Sequence, residues 1–286
     1  MYGTRGPGCW ATLLTGALDA AVTGSLERCG RGSQDRAKVG VMPTRLVHMV
    51  IDAADTSSLA AFWAAALGWA VDLDEPDEAV VWPTGFDYPG PDAVPLVFVP
   101  VPEPKVVKNR IHLDLATQST AHQAELVGRL RKIGAAPVDI GQGDVPWVVL
   151  GDPEGNEFCV LEPRLEYRGT GPVAAIVVDS AVPAGLADFW TVASGWRLQH
   201  EGNGVVSLRS PSDTGPYLEF LPNSDPKRAK SRVHLDVAPH KDEDHAAAVE
   251  SLLRSGAVRA DVGQGVVSWA VLADPEGNEF CVLSAR

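Results

Sequence analysis

The sequence predicts an α+β protein made of four β-α-β-β-β units arranged as two tandem repeats. Three observations carry that prediction. Residues 108–164 align without a gap on 230–286 at a constant offset of 122, with 30 of 57 positions identical, which marks an internal duplication. Upstream, LAAFWAAALGW (59–69) answers to LADFWTVASGW (186–196) at offset 127, so the second copy is five residues shorter between this segment and its histidine strand. Finally, each copy divides into halves of the same order: a β-rich run, a helical run closed by glycine, then three short strands.

The elements follow in sequence. Leu46 to Ile51 is β-rich, and Ser57–Leu67 has helical periodicity ended by Gly68. Short strands are expected at Trp69–Leu73, Ala79–Trp82 and Leu96–Val99, separated by Pro, Gly and Asp turns. The second half repeats the order, with a strand at Arg110–Leu115 and a helix at Thr120–Ile133 closed by Gly134. Three strands follow at Val138–Ile140, Trp147–Leu150 and Glu157–Leu161. DPEGNEFCVL (152–161) returns unchanged at 274–283, and the turn at Asp152-Pro153-Glu154-Gly155 is sufficient reason for it. The repeats span 42–165 and 170–286, joined by a short link at Glu166-Tyr167-Arg168-Gly169.

Composition bounds the function. With 286 residues, 45% hydrophobic and 21% charged, the chain has material for real cores. A net charge of −13 makes nucleic acid and anionic membrane surfaces poor partners. No apolar run approaches the about 18–20 residues a membrane span needs. Four cysteines make no disulfide framework, so a reducing cytoplasm is expected. Residues 1–41 stand apart: they are rich in Gly, Ser, Thr and Arg, carry a charge of +2, and read as a disordered or mis-assigned extension. Asp19 interrupts their apolar stretch, against a secretion signal, and Met42 is the expected natural start.

The paired βαβββ units, the FW....LGW helix end, RIHLDL (110–115) and DPEGNEF together resemble the vicinal oxygen chelate superfamily, which includes glyoxalase I, extradiol dioxygenases and bleomycin-binding proteins. More narrowly, the chain is similar to the glyoxalase-like domains abundant in actinobacteria. The resemblance covers both repeats. It implies that each repeat pairs its two units into a half-open sheet cup, where metal-using members hold a divalent ion on inward residues. Carried over, those positions are His48, Val97, His112 and Cys159 in the first repeat, and Ala175, Glu219, His234 and Cys281 in the second. Neither is the usual His/Glu set. His48, His112 and Cys159 would suit zinc, and Glu219 with His234 is a poorer set. The missing carboxylate argues against extradiol cleavage and a standard glyoxalase I reaction. Buried cysteines in FCVL strands also read as small hydrophobes.

Strand alternation puts Arg110, His112 and Asp114 on one face, and Arg232, His234 and Asp236 on the matching face of the second copy. Two readings stay open. One is a self-satisfied structural network. The other is a cup floor in which Arg110 fixes an oxygen and His112, poised by Asp114, carries a proton. Trp82, Phe98, Trp147, Arg232 and His234 are the residues expected to meet a substrate, the aromatics as walls for a flat organic molecule. Trp63, Trp69, Trp190 and Trp196 read as core. GQG (141–143, 263–265) reads as a flexible loop, and no GxSxG, dinucleotide fingerprint or P-loop is present. The expectation is a protein acting on, or sequestering, a small molecule. Its chemistry would be lyase- or isomerase-like with one divalent metal, zinc fitting best, in a monomeric pseudo-dimer or a homodimer. The alternative is a metal-free binder of the drug-sequestering kind.

Overall fold

The computed structural model describes residues 44–286, so the expectations for residues 1–41 and for Met42 as the start lie outside the described residues. The first repeat runs β1 (Arg45–Ala53), α1 (Thr56–Leu67), β2 (Ala70–Glu75), β3 (Glu78–Trp82), β4 (Leu96–Pro100), β5 (Ile111–Leu115), α2 (Thr120–Lys132), β6 (Ala136–Pro137), β7 (Val148–Gly151) and β8 (Glu157–Val160). The second runs β9 (Val173–Ser180), α3 (Pro183–Ser194), β10 (Arg197–Gly202), β11 (Val205–Arg209), β12 (Tyr217–Pro222), β13 (Val233–Ala238), α4 (His245–Arg254), β14 (Val258–Arg259), β15 (Ala270–Ala273) and β16 (Glu279–Val282). Two tandem repeats, each of two βαβββ units, are therefore present.

Local signals set the element ends. Asp55 caps α1 by accepting from the Ser58 amide at 3.0 Å, and Gly68 ends the helix in the left-handed region at φ 68°. β6 falls two residues before the expected strand at 138–140. There, Asp139 accepts from the Gly141 amide and Gln142 Oε1 from the Ile140 amide, so side chains tie the GQG segment into a loop.

Two eight-stranded sheets form, ordered β14-β15-β16-β13-β1-β4-β3-β2 and β10-β11-β12-β9-β5-β8-β7-β6. The units of one repeat do not share a sheet. The first unit joins the fourth through the antiparallel β1–β13 seam, and the second joins the third through β5–β9. Each cup is thus shared between the repeats. The helix-facing side of both sheets makes one large core in which Trp63, Trp190, Phe98, Phe158, Phe220 and Phe280 are fully buried. Full burial of such a ring stabilises by about 1.5–3 kcal/mol. The indoles keep their polar edge satisfied, since Trp63 Nε1 donates to Asp152 Oδ2 and Trp190 Nε1 to Asp274 Oδ2, each at 3.2 Å. The opposite faces carry separate clusters, Val50/Val80/Val97 on the first sheet and Val149/Cys159 with Tyr167 and Trp147 on the second. Those faces are the cups. Among the described residues no helix is long and apolar enough to cross a membrane.

Candidate functional sites in two unequal cups

Register defines the first cup. His48 lies opposite Asp236, Val50 opposite His234, and Asp236 beside Cys281. His234 Nε2 is 3.5 Å from Asp236 Oδ1 and 3.6 Å from Cys281 Sγ. From the other side, His48 Nδ1 is 3.5 Å from Asp236 Oδ2. Asp236 Oδ1 is buried without a hydrogen-bond partner. Tyr88, from the loop between β3 and β4, stacks on the His48 ring at 5.3 Å and 11°, and Trp82 stacks on Tyr88 at 5.6 Å. Arg286 Nη1 donates to the Tyr88 hydroxyl at 3.2 Å. Trp269 stands on the same face at the rim, 39% exposed.

In the second cup, His112 Nε2 is 3.5 Å from Asp114 Oδ1, and Asp114 lies beside Cys159. His112, Asp114 and Cys159 form a cluster with metal-ligand spacing, as do His234, Asp236 and Cys281. The position matching His48 is Ala175, which faces Asp114, and the position matching Val97 is Glu219. Glu219 is buried; Tyr167 donates to its Oε2 and Ser207 to its Oε1, both at 3.0 Å. Burial, then the charge of Asp114, pushes the Glu219 carboxyl up to about 7.

Several expected sites are redrawn. His48 belongs to the first sheet while His112 and Cys159 belong to the second, so that metal set is not brought together. The same exchange separates Glu219 from His234. The cause is the pairing between repeats: grouping by position within one repeat mixes the two cups. His48 instead stands beside Asp236 of the His234/Asp236/Cys281 cluster, and Asp236 supplies the carboxylate that seemed missing.

Neither arginine holds its expected place, Arg110 as a catalytic group or Arg232 as a substrate contact. Arg110 donates to Asn278 Oδ1, to the Asp225 and Asp179 carbonyls and to Glu276, while Arg232 donates to the Glu103 and Asp52 carbonyls and to Glu154. Both are cross-repeat braces, not a cup floor. Phe98 is wholly buried in the helix-side core, because it alternates with the cup-facing Val97 and Val99. His112 and Asp114 do stay together, Trp82 lines the first cup and Trp147 the second. Sequence reasoning missed Tyr88, Arg164 and Tyr167. Tyr88 lies in the five-residue excess of the first copy, which was the available signal.

The donor set of the first cup fits a metal. Four ligands around zinc at about 2.0–2.3 Å stand at tetrahedral corners roughly 3.3–3.7 Å apart, and the His234 distances to Asp236 and Cys281 fall in that range. Burial, then Asp236, pushes the Cys281 thiol up, and a cation bound there would favour its thiolate.

Solved structures share this architecture. A glyoxalase I mutant from Zea mays superposes with a TM-score of 0.57 at 16% identity, covering 85% of this chain and 94% of that one. Native glyoxalase I from Zea mays gives 0.56 at 13% identity over 84% and 92%. A Bacillus subtilis protein with a provisional dioxygenase name gives 0.54 at 14% identity over 84% of both chains. No curated protein matches the chain. Fold and cups thus define a member of the glyoxalase/dioxygenase, or vicinal oxygen chelate, superfamily. The family model described as a glyoxalase-like domain matches twice, at residues 48–161 and 175–283, and the chain belongs to that family.

Proposed function

We propose that the first cup holds one divalent metal, zinc by its donor chemistry, and acts on a small organic molecule by proton transfer, as a lyase or isomerase. One observation carries this reading: two imidazoles, a carboxylate with an orphaned buried oxygen and a thiol meet on one sheet face. His234, Asp236 and Cys281 would hold the ion. One imidazole, one carboxylate and one thiolate, with a fourth position open, are donor chemistry that suits zinc. Bound there, the metal would supply Lewis-acid polarisation of a ligand oxygen. His48 is the proton carrier. With Nδ1 turned to Asp236 and its ring held under Tyr88, Nε2 is the nitrogen left to exchange a proton. Val50, Val80, Val97 and Trp82 make the surrounding wall apolar.

The test is calorimetric titration of zinc into chelator-treated full chain, followed by a panel of small α-hydroxy and α-keto carbonyl compounds in deuterium oxide. The expected result is about one zinc per chain, lost in His234→Ala, and deuterium uptake lost in His48→Ala. Zinc bound without any His48-dependent exchange across the panel contradicts the enzyme reading.

The Trp82–Tyr88–His48 stack and exposed Trp269 favour a second reading, a metal-free binder of flat molecules. It predicts saturable tryptophan quenching by an aromatic ligand in protein that takes up no metal.

A further inference from the structure

We infer that the second cup is a phenol-binding site whose ligand is supplied by the chain itself, as the Tyr167 side chain of the segment joining the repeats. The inference does not depend on a metal in the first cup. β8 and β9 flank β5, and the ends joined by this segment both lie at Leu115: the Leu161 amide donates to the Leu115 carbonyl, and Val173 pairs with Leu115. That gap is two strand spacings, roughly 10 Å. Residues 161–172 are far more chain than the gap requires, since an extended residue spans about 3.3 Å.

The surplus folds onto the cup face. Tyr167 packs against Ala175, Val177 and Tyr217 on one side and the Val149/Cys159 cluster on the other. Its hydroxyl donates to Glu219 at 3.0 Å, and Tyr217 meets its ring edge-on at 5.7 Å. Arg164, tied to Glu162 at 2.7 Å, lies 5.9 Å over the Tyr167 ring and 5.8 Å over Trp147. A buried acceptor for the hydroxyl, an edge-on aromatic neighbour and a cation over the ring face are together the recognition elements of a phenol.

The internal repeat supplies the comparison. In the first cup, Val97 and Val80 replace Glu219 and Ser207, so no hydroxyl acceptor stands at that position of the floor. Trp269, the counterpart of the Arg164-covered Trp147, is exposed at the rim. The two cups of one chain therefore differ: in the second the Tyr167 hydroxyl occupies the buried acceptor Glu219, while in the first Tyr88 stacks on His48 and leaves Asp236 Oδ1 without a partner.

The probe is p-cresol, the free Tyr side chain, added to full-length Tyr167→Gly. p-Cresol should raise its Tm saturably and beyond any shift in the wild type, with toluene at least tenfold weaker. Adding Glu219→Leu should abolish that preference. No gain over the wild type, or toluene binding as well as p-cresol, overturns the inference. If the glycine variant does not fold, Tyr167→Phe decides. Amide exchange across 162–171 should rise at least tenfold while α1 and α3 stay unchanged, and an unaltered segment overturns the inference.

Discussion

The Arg232 guanidinium donates to the Glu154 carboxylate at 2.9 Å, and the duplication returns the pair as Arg110 and Glu276 at 3.0 Å. Each glutamate also accepts two backbone amides near a helix start, Ala54 and Asp55 for Glu154, Ala181 and Val182 for Glu276. The DPEGNEF motif is therefore a clamp between repeats as well as a turn. Asp152 holds the turn from within by accepting from the Glu154 and Asn156 amides, both at 2.9 Å.

Loss of one partner should be felt throughout the molecule. Arg232 and Glu154 side chains are only 11% and 16% exposed, so truncating one strands a nearly buried charge. Glu154→Ala should cost roughly 2–4 kcal/mol, toward the lower end for a broken buried pair. Urea unfolding checks this, and a double-mutant cycle with Arg232→Ala should show a large favourable coupling. A ΔΔG under about 0.5 kcal/mol would remove the clamp from the account.

Glu219 gives a pH signature. Its folded carboxyl is raised from 4.5 to about 7, burial first and Asp114 second. The folded state thus binds this proton more tightly than the unfolded chain does. The stability it contributes is fully present below about pH 4.5 and is lost as pH rises through about 7, a change of about 3 kcal/mol. Between pH 4.5 and 8, wild type should lose stability relative to Glu219→Gln by that order. Parallel profiles would show that the carboxyl is not held neutral.

The buried thiols should be inert. Burial, reinforced by Asp114, holds the Cys159 thiol well above its ordinary value, and burial with Asp236 does the same at Cys281. Iodoacetamide at pH 8 should leave both unlabelled in folded protein and label both in urea, as read by peptide mapping. Rapid labelling of native Cys281 would contradict the packing of the first cup.

Much of the fold was legible because its signals are local. Gly68 ends α1 and the duplicated RIHLDL and FCVL runs became β5, β8, β13 and β16, since periodicity and turn residues act within a few positions. Which unit pairs with which was not legible, because β1 and β13 meet across 180 residues, as Asp52 and Arg232 illustrate. That one choice exchanged the partners of His48 and His112. It also turned Arg110 and Arg232 outward to the clamp, where alternation alone had placed them beside the histidines. Tyr167 read as part of a plain link, and only the placement of β8 and β9 on either side of β5 folds it into a cup.

The most direct test is metal content of the full chain purified without chelator and supplied with zinc. About one zinc per chain is expected, in the first cup, abolished by His234→Ala and unaffected by His112→Ala, because the first cluster has the His48 imidazole beside its carboxylate where the second has Ala175. No zinc, or zinc that survives His234→Ala and vanishes with His112→Ala, would contradict it.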